Sequence, residues 1–138
     1  MSTSLSALLQ LLRDDRRYKF EAYQFVREGL DYAHRKLGLG RETSAGAEPA
    51  PDAHVTGQQL CEAIRLHAVE QFGYLAKPVL ASWGVHSTSD FGAIIYNLIE
   101  IKEMKKSETD RREDFDDVYD FDRAFVQEFA IVVTRSHD

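Results

Sequence analysis

Phe20, Tyr23, Val26, Leu30, Ala33 and Leu37 recur at spacings of three and four, and this run constrains the fold more than any other feature. That spacing places all six on one face of a helix. It predicts a long amphipathic helix over about 18–37. Gly38 follows at once and can adopt the left-handed conformation that commonly ends a helix.

The rest of the chain is punctuated in the same way. Leu5, Leu8, Leu9 and Leu12 form a shorter helical stripe, followed by a polar joint, Arg13-Asp14-Asp15-Arg16-Arg17. Residues 39–53 hold Gly40, Ser44, Gly46, Pro49 and Pro51 among small polar residues and read as a flexible linker. Thr56 with Gln59 makes a capping box, in which each side chain satisfies the other's backbone amide. Leu60, Ile64, Ala68 and Phe72 then mark a helix that Gly73 ends. A short helix is expected over about 75–83, with Pro78 in its early turns, where proline does least harm. Gly84 stops it. Ser87 to Asp90 offers a new cap, and Phe91, Ile94, Ile95, Leu98 and Ile99 carry a helix towards Lys102.

Beyond it, 104–107 and 115–121 flank a charged turn at 108–114, a pattern read as a small β-hairpin. Phe121, Phe125 and Phe129 are spaced as in a terminal helix, whereas Ala130-Ile131-Val132-Val133-Thr134 suits a strand. Periodicity leaves 126–134 open between the two.

Helix, short helix, turn, helix, hairpin is the order of a winged helix-turn-helix. The expected fold is therefore mainly α: an N-terminal helical hairpin over 1–38, the linker 39–53, and a winged-helix-like core with a C-terminal extension over 54–138. The turn Trp83-Gly84-Val85-His86-Ser87 is the pivot, with Gly84 supplying the positive φ. All 138 residues are read as one domain. At roughly this length a chain buries about two-thirds of its unfolded surface, and 43% hydrophobic residues supply the core.

Charge and cysteine narrow the function classes. Cys61 is the single cysteine, so neither an internal disulfide nor a Cys-only zinc site is available. This favours a reducing, cytoplasmic setting. No run reaches the ~20 apolar residues of a membrane span, and the first residues lack the basic start of an export signal. The net charge is −6, and 108–122 alone carries eight acids against Arg111 and Arg112. The whole excess is local. It repels phosphate from that face.

Two surfaces are candidates for binding. In the first, Phe115 and Tyr119 are aromatic anchors interleaved with Asp116, Asp117 and Asp120, a composition suited to docking on a basic protein groove. In the second, the helix after Gly84 is a recognition helix presenting Thr88, Ser89, Tyr96 and Asn97, with Arg111 and Arg112 at the wing tip. Its reading positions lack arginine and lysine, which ranks duplex DNA below a protein partner.

Other constellations read as structure. The acids of 114–122 lack the glycine of a calcium loop. His67 and Glu70 have a ligand-like spacing, but no HExxH or second Glu-x-x-His accompanies them. Cys61 reads as a small core residue, and Trp83 as packing under the turn. Ser87 beside His86 lacks a GxSxG frame, and Gly38-Leu39-Gly40 lacks a third glycine. Asp15, Arg17 and Tyr18 suit an active-site cluster or a pin for the second helix, and the pin is the stronger reading. No catalytic, cofactor-binding or metal-ligating residue is assigned.

Four runs carry a resemblance: 15–33 (DRRYKFEAYQFVREGLDYA), 54–60 (HVTGQQL), 82–100 (SWGVHSTSDFGAIIYNLIE) and 105–125 (KKSETDRREDFDDVYDFDRAF). Together they resemble a small uncharacterised family typical of planctomycete and verrucomicrobial bacteria. The resemblance covers most of 15–125. Arg16 stands where that family commonly has proline after the aspartate matched by Asp15. It implies a bacterial, cytoplasmic origin and no activity. The leading expectation is thus a non-enzymatic protein-interaction module, possible also as a homo-oligomer. A DNA-binding regulator ranks second and an enzyme third.

Overall fold

A computed structural model of the chain describes residues 3–39, 55–105 and 110–127. Most of the linker 39–53 and the segment 128–134 lie outside the described residues.

The fold is mainly helical. Among the described residues five α-helices follow in order: α1 (Thr3–Asp14), α2 (Phe20–Arg35), α3 (Gly57–Phe72), α4 (Ala76–Ser82) and α5 (Thr88–Glu100). Short 3-10 turns occupy Gly73–Leu75 and Arg112–Phe115, and a π-helical turn occupies Arg123–Gln127. Helix ends fall where the local signals put them. The Gln59 amide donates to Thr56 Oγ1 at 3.1 Å, and the Thr56 amide to Gln59 Oε1 at 3.0 Å. Each bond satisfies an amide that the helix cannot. At the start of α5, Asp90 Oδ2 accepts from the amides of His86 (2.8 Å) and Ser87 (3.2 Å). Past α2, Gly38 takes φ 67°, and the Leu39 amide donates back to the Ala33 carbonyl.

The core forms where α2, α3 and α5 meet. Tyr23, Phe25 and Val26 of α2 lie against Ile64 of α3 and Phe91, Ile94 and Leu98 of α5, all buried. Burying each such side chain contributes about 1.5–3 kcal/mol. α2 and α3 approach so closely at Gly29 that a Cβ there would lie 2.5 Å from Ile64 Cγ1. α1 is the least embedded helix: Leu11 and Leu12 rest on the core, while Leu5 and Leu9 remain exposed.

α5 is more enclosed than a recognition helix is expected to be. Thr88, all of 91–95 and Leu98 are buried. A helix that is apolar on most faces belongs inside a fold. The 3-10 turn Arg112–Phe115 covers it, with the Phe115 ring seated between the backbones of Gly57 and Gly92.

Part of the expected hairpin, 106–109, lies outside the described residues. No strand occurs among the described residues, and the second limb, 115–121, begins in a 3-10 turn. Aspartates explain the difference. Asp114 accepts from the Arg111 amide (3.2 Å), and Asp120 accepts from the Arg123 amide (3.1 Å). Such local bonds compete with strand pairing. Asp117 at φ 50° breaks any extended run.

The joint between α1 and α2 is pinned by side chains. Arg17 holds Asp15 with two charge-assisted bonds, Nε to Oδ1 at 3.0 Å and Nη2 to Oδ2 at 2.7 Å. Asn97 Nδ2 donates to Asp15 Oδ2 and to the Tyr23 hydroxyl, each at 3.0 Å. Tyr18 donates to Asp90 Oδ1 at 2.5 Å. The Arg17 guanidinium lies 5.0 Å from the centre of the Tyr18 ring. The segment before α2 is therefore tied to both the first and the last turn of α5.

These bonds make a pH prediction. The Arg17 guanidinium, opposed by partial burial and aided by Asn97, holds the Asp15 carboxyl well below its usual range. A depressed carboxyl adds stability above its unfolded pKa of about 3.9 and loses it as pH falls through the folded value. Asp15→Asn is expected to cost roughly 1–2 kcal/mol at pH 7, because the pair is partly exposed. The gap from wild type should close towards pH 2. Urea denaturation at pH 7, 4 and 2 measures it, and a gap that stays constant would remove the charge from the explanation.

Candidate functional site

The segment 110–122 runs over α5 and α3 and holds most of the chain's acidic excess. It presents a different chemistry from the one its sequence suggests. Phe115 is 5% exposed and belongs to the core. Tyr119 is partly buried, and its hydroxyl donates to the Cys61 carbonyl at 2.8 Å. Its ring packs on Phe121 and Phe125. Burial pushes the Tyr119 phenol well above its ordinary value, so it stays protonated as a donor. The two aromatic residues of the expected interface therefore face inward. The exposed side chains of 113–122 are carboxylates.

Those carboxylates are not equivalent. Asp116 accepts from the Ser89 hydroxyl at 2.8 Å. Asp120 caps Arg123, Asp114 caps Arg111, and Asp122 pairs with Lys77. Glu113 and Asp117 are exposed and have no partner among the described residues. Glu113 is absent from the set that sequence spacing singled out. Its signal was only membership of the charge run. What sets it apart is that its neighbours are engaged, and this appears only in three dimensions.

The nucleic-acid candidates are largely consumed by the fold. Thr88 is 1% exposed, and its hydroxyl accepts from the Val118 amide at 3.1 Å. Ser89 is held by Asp116, and both bonds of the Asn97 amide group point to Asp15 and Tyr23. Tyr96 is half-buried against a cavity. Ser89, Arg111 and Arg112 are the exposed members of this set. The 112–118 segment lies across the end of α5 that would have to enter a groove.

His67 and Glu70 do not converge. His67 Nε2 lies 3.2 Å from Glu28 Oε1, and its ring stacks on Phe25 at 4.8 Å. Glu70 instead takes the Tyr32 hydroxyl and Lys36 Nζ. That carboxylate, followed by burial, pushes the Tyr32 phenol up to about 12. Cys61 is fully buried, which pushes its thiol up to about 12 and leaves it without thiolate reactivity at neutral pH. Trp83 packs on Phe25 and Phe72 at ring separations of 5.5 and 5.9 Å. Among the described residues, no three His, Cys, Asp or Glu side chains gather to hold a metal ion. No helix there is long and apolar enough to cross a membrane.

No family model matches the chain, and no curated protein or solved structure matches it significantly.

Proposed function

We propose that this chain is a non-enzymatic protein-interaction module on a helix-turn-helix-like scaffold. Its contact surface is the acidic segment 113–122, and its partner is a protein with a basic surface in a bacterial cytoplasm. The observation that carries this reading is the division of labour in that segment. Phe115 and Phe121 are buried and fix it to the core, while Glu113, Asp116, Asp117, Asp120 and Asp122 are exposed. A rigid base with an outward row of like charge favours fast association and rejects acidic partners. The α3–α4–α5 order and the Gly84 turn support the helix-turn-helix comparison.

A DNA-binding regulator is the second reading. It rests on the exposed side chains of Arg111 and Arg112. Arginines at such a tip can enter a minor groove. The engaged state of Thr88, Ser89 and Asn97 weighs against it. An enzyme stands third.

Glu113→Gln with Asp117→Asn is the discriminating variant. Both changes remove charge from groups without local partners, and asparagine tolerates the positive φ of position 117. Partner capture should fall by at least about fivefold, as expected for loss of charge complementarity. The melting temperature should stay within about 2 °C of wild type, since exposed substitutions of this kind are nearly neutral. Unchanged capture would remove the acidic face from the interface.

A further inference from the structure

Between α2, α3, α5 and the turn Arg112–Phe115 lies a cavity of about 260 Å³. Leu30, Leu60, Ile95, Ile99 and Phe115 make its walls apolar. Tyr96 also lines it, and the Tyr96 hydroxyl is buried with no hydrogen-bond partner, alone in this among the described side chains. Buried polar atoms are nearly always satisfied, so an orphaned one marks a place where a partner is missing. A cavity with apolar walls and a few convergent polar groups is the usual form of a small-molecule site.

The charge around the phenol selects the ligand. Asp110, Asp114, Glu103 and His34 line the cavity, and Glu103 also pairs with Arg27 at 3.9 Å. Lys105 and Arg111 are the opposing cations there. At Tyr96 the carboxylates prevail. After burial, Asp110, Asp114 and Glu113 are the influences that hold its proton on, with Arg112 opposing them. A group that brings positive charge and N–H donors is favoured at that point, and a carboxylate is repelled.

We propose that this cavity is a binding site for a small apolar monoamine. The ammonium donates to the Tyr96 hydroxyl oxygen, and the hydrocarbon part fills the space between Leu30, Leu60 and Ile99. The inference does not rest on the acidic protein interface: Asp114 and Phe115 belong to both surfaces, but Glu113 and Asp117, which the interface variant changes, are not among the lining residues.

Three probes of equal chain length test it: hexylamine, hexan-1-ol and hexanoate at pH 7. Methyl NMR titration of the full chain reads Leu30, Leu60, Ile95 and Ile99. Hexylamine should give saturable shifts confined to these methyls and bind most tightly of the three. Tyr96→Phe should weaken hexylamine by about fivefold, the worth of one hydrogen bond to a charged group in a partly open site. Without ligand the same variant should melt no lower than wild type, because the hydroxyl has no partner to lose. Three results would overturn the proposal. Hexanoate or hexan-1-ol could bind as well as hexylamine. Tyr96→Phe could destabilise the unliganded protein, which would give the hydroxyl a structural partner. Nuclear Overhauser contacts from elsewhere in the chain could reach these methyls, which would show the space already filled.

Discussion

Gly84→Ala is expected to cost at least about 3 kcal/mol and to leave little folded protein at 37 °C. The residue sits at φ 93°, and a Cβ built there lies 1.9 Å from the Arg17 carbonyl oxygen. A backbone atom cannot rotate away as a side chain can. The turn itself is held by Trp83 and Val85 amides donating to the Leu80 carbonyl and by the Gly84 amide donating to Ala81. The Lys19 amide in turn donates to the Trp83 carbonyl at 3.1 Å. Moving either strand of this contact therefore strains the Tyr18–Asp90 and Asp15–Asn97 bonds as well. Gly38→Ala is the control. Its φ is also positive, at 67°, but nothing lies within 4 Å of the added Cβ. It should cost only about 1 kcal/mol, the backbone penalty alone. Circular dichroism melts of the two variants separate clash from conformational strain. Equal losses would show that the Arg17 contact is not what constrains the turn.

Phe115→Ala should cost about 3–5 kcal/mol, as for other large-to-small changes in packed cores. The ring is 5% exposed and fills the gap left by two residues without side chains, Gly57 and Gly92. Its edge lies 3.1 Å from the Cβ position of Gly57. Deleting it opens a void between α3 and α5 and frees the acidic segment from its base. Denaturant unfolding reads the loss directly. A variant that kept full stability and lost only partner capture would restore Phe115 as an exposed anchor and contradict its burial. Comparison with Glu113→Gln/Asp117→Asn then divides the segment into a structural half and a charged half.

Much of the helical framework was legible because its signals are local. Thr56 with Gln59, Asp90 after Ser87, and Gly73 and Gly84 as stops each act within a few residues, and the helix bounds follow them closely. The 3.6-residue period of α2 was equally direct. Features decided across the chain were not legible in this way. Alternating acids and aromatics over 115–121 resemble a strand, but Asp114 and Asp120 capture nearby amides and turn the backbone instead. Phe115 and Tyr119 look like anchors in a charge run until their burial is known. α5 did carry a usable warning. Phe91 to Ile95 is almost continuously apolar, which argues burial on several faces and against a groove-reading helix. The Asn97–Asp15 bond joins positions 82 apart, and no spacing rule reaches that far. The same holds for Tyr96, whose orphaned hydroxyl is a property of the cavity rather than of the sequence around it.

The central claim is that this chain binds a protein through carboxylates and does not act through nucleic acid. Tagged full-length protein recovered from native cells, with and without nuclease and washed across a salt series, tests it most directly. The account predicts a protein partner that survives nuclease and weakens with salt, and that is lost from Glu113→Gln/Asp117→Asn. Recovery that disappears with nuclease and persists in that variant would contradict it and place the function on Arg111 and Arg112.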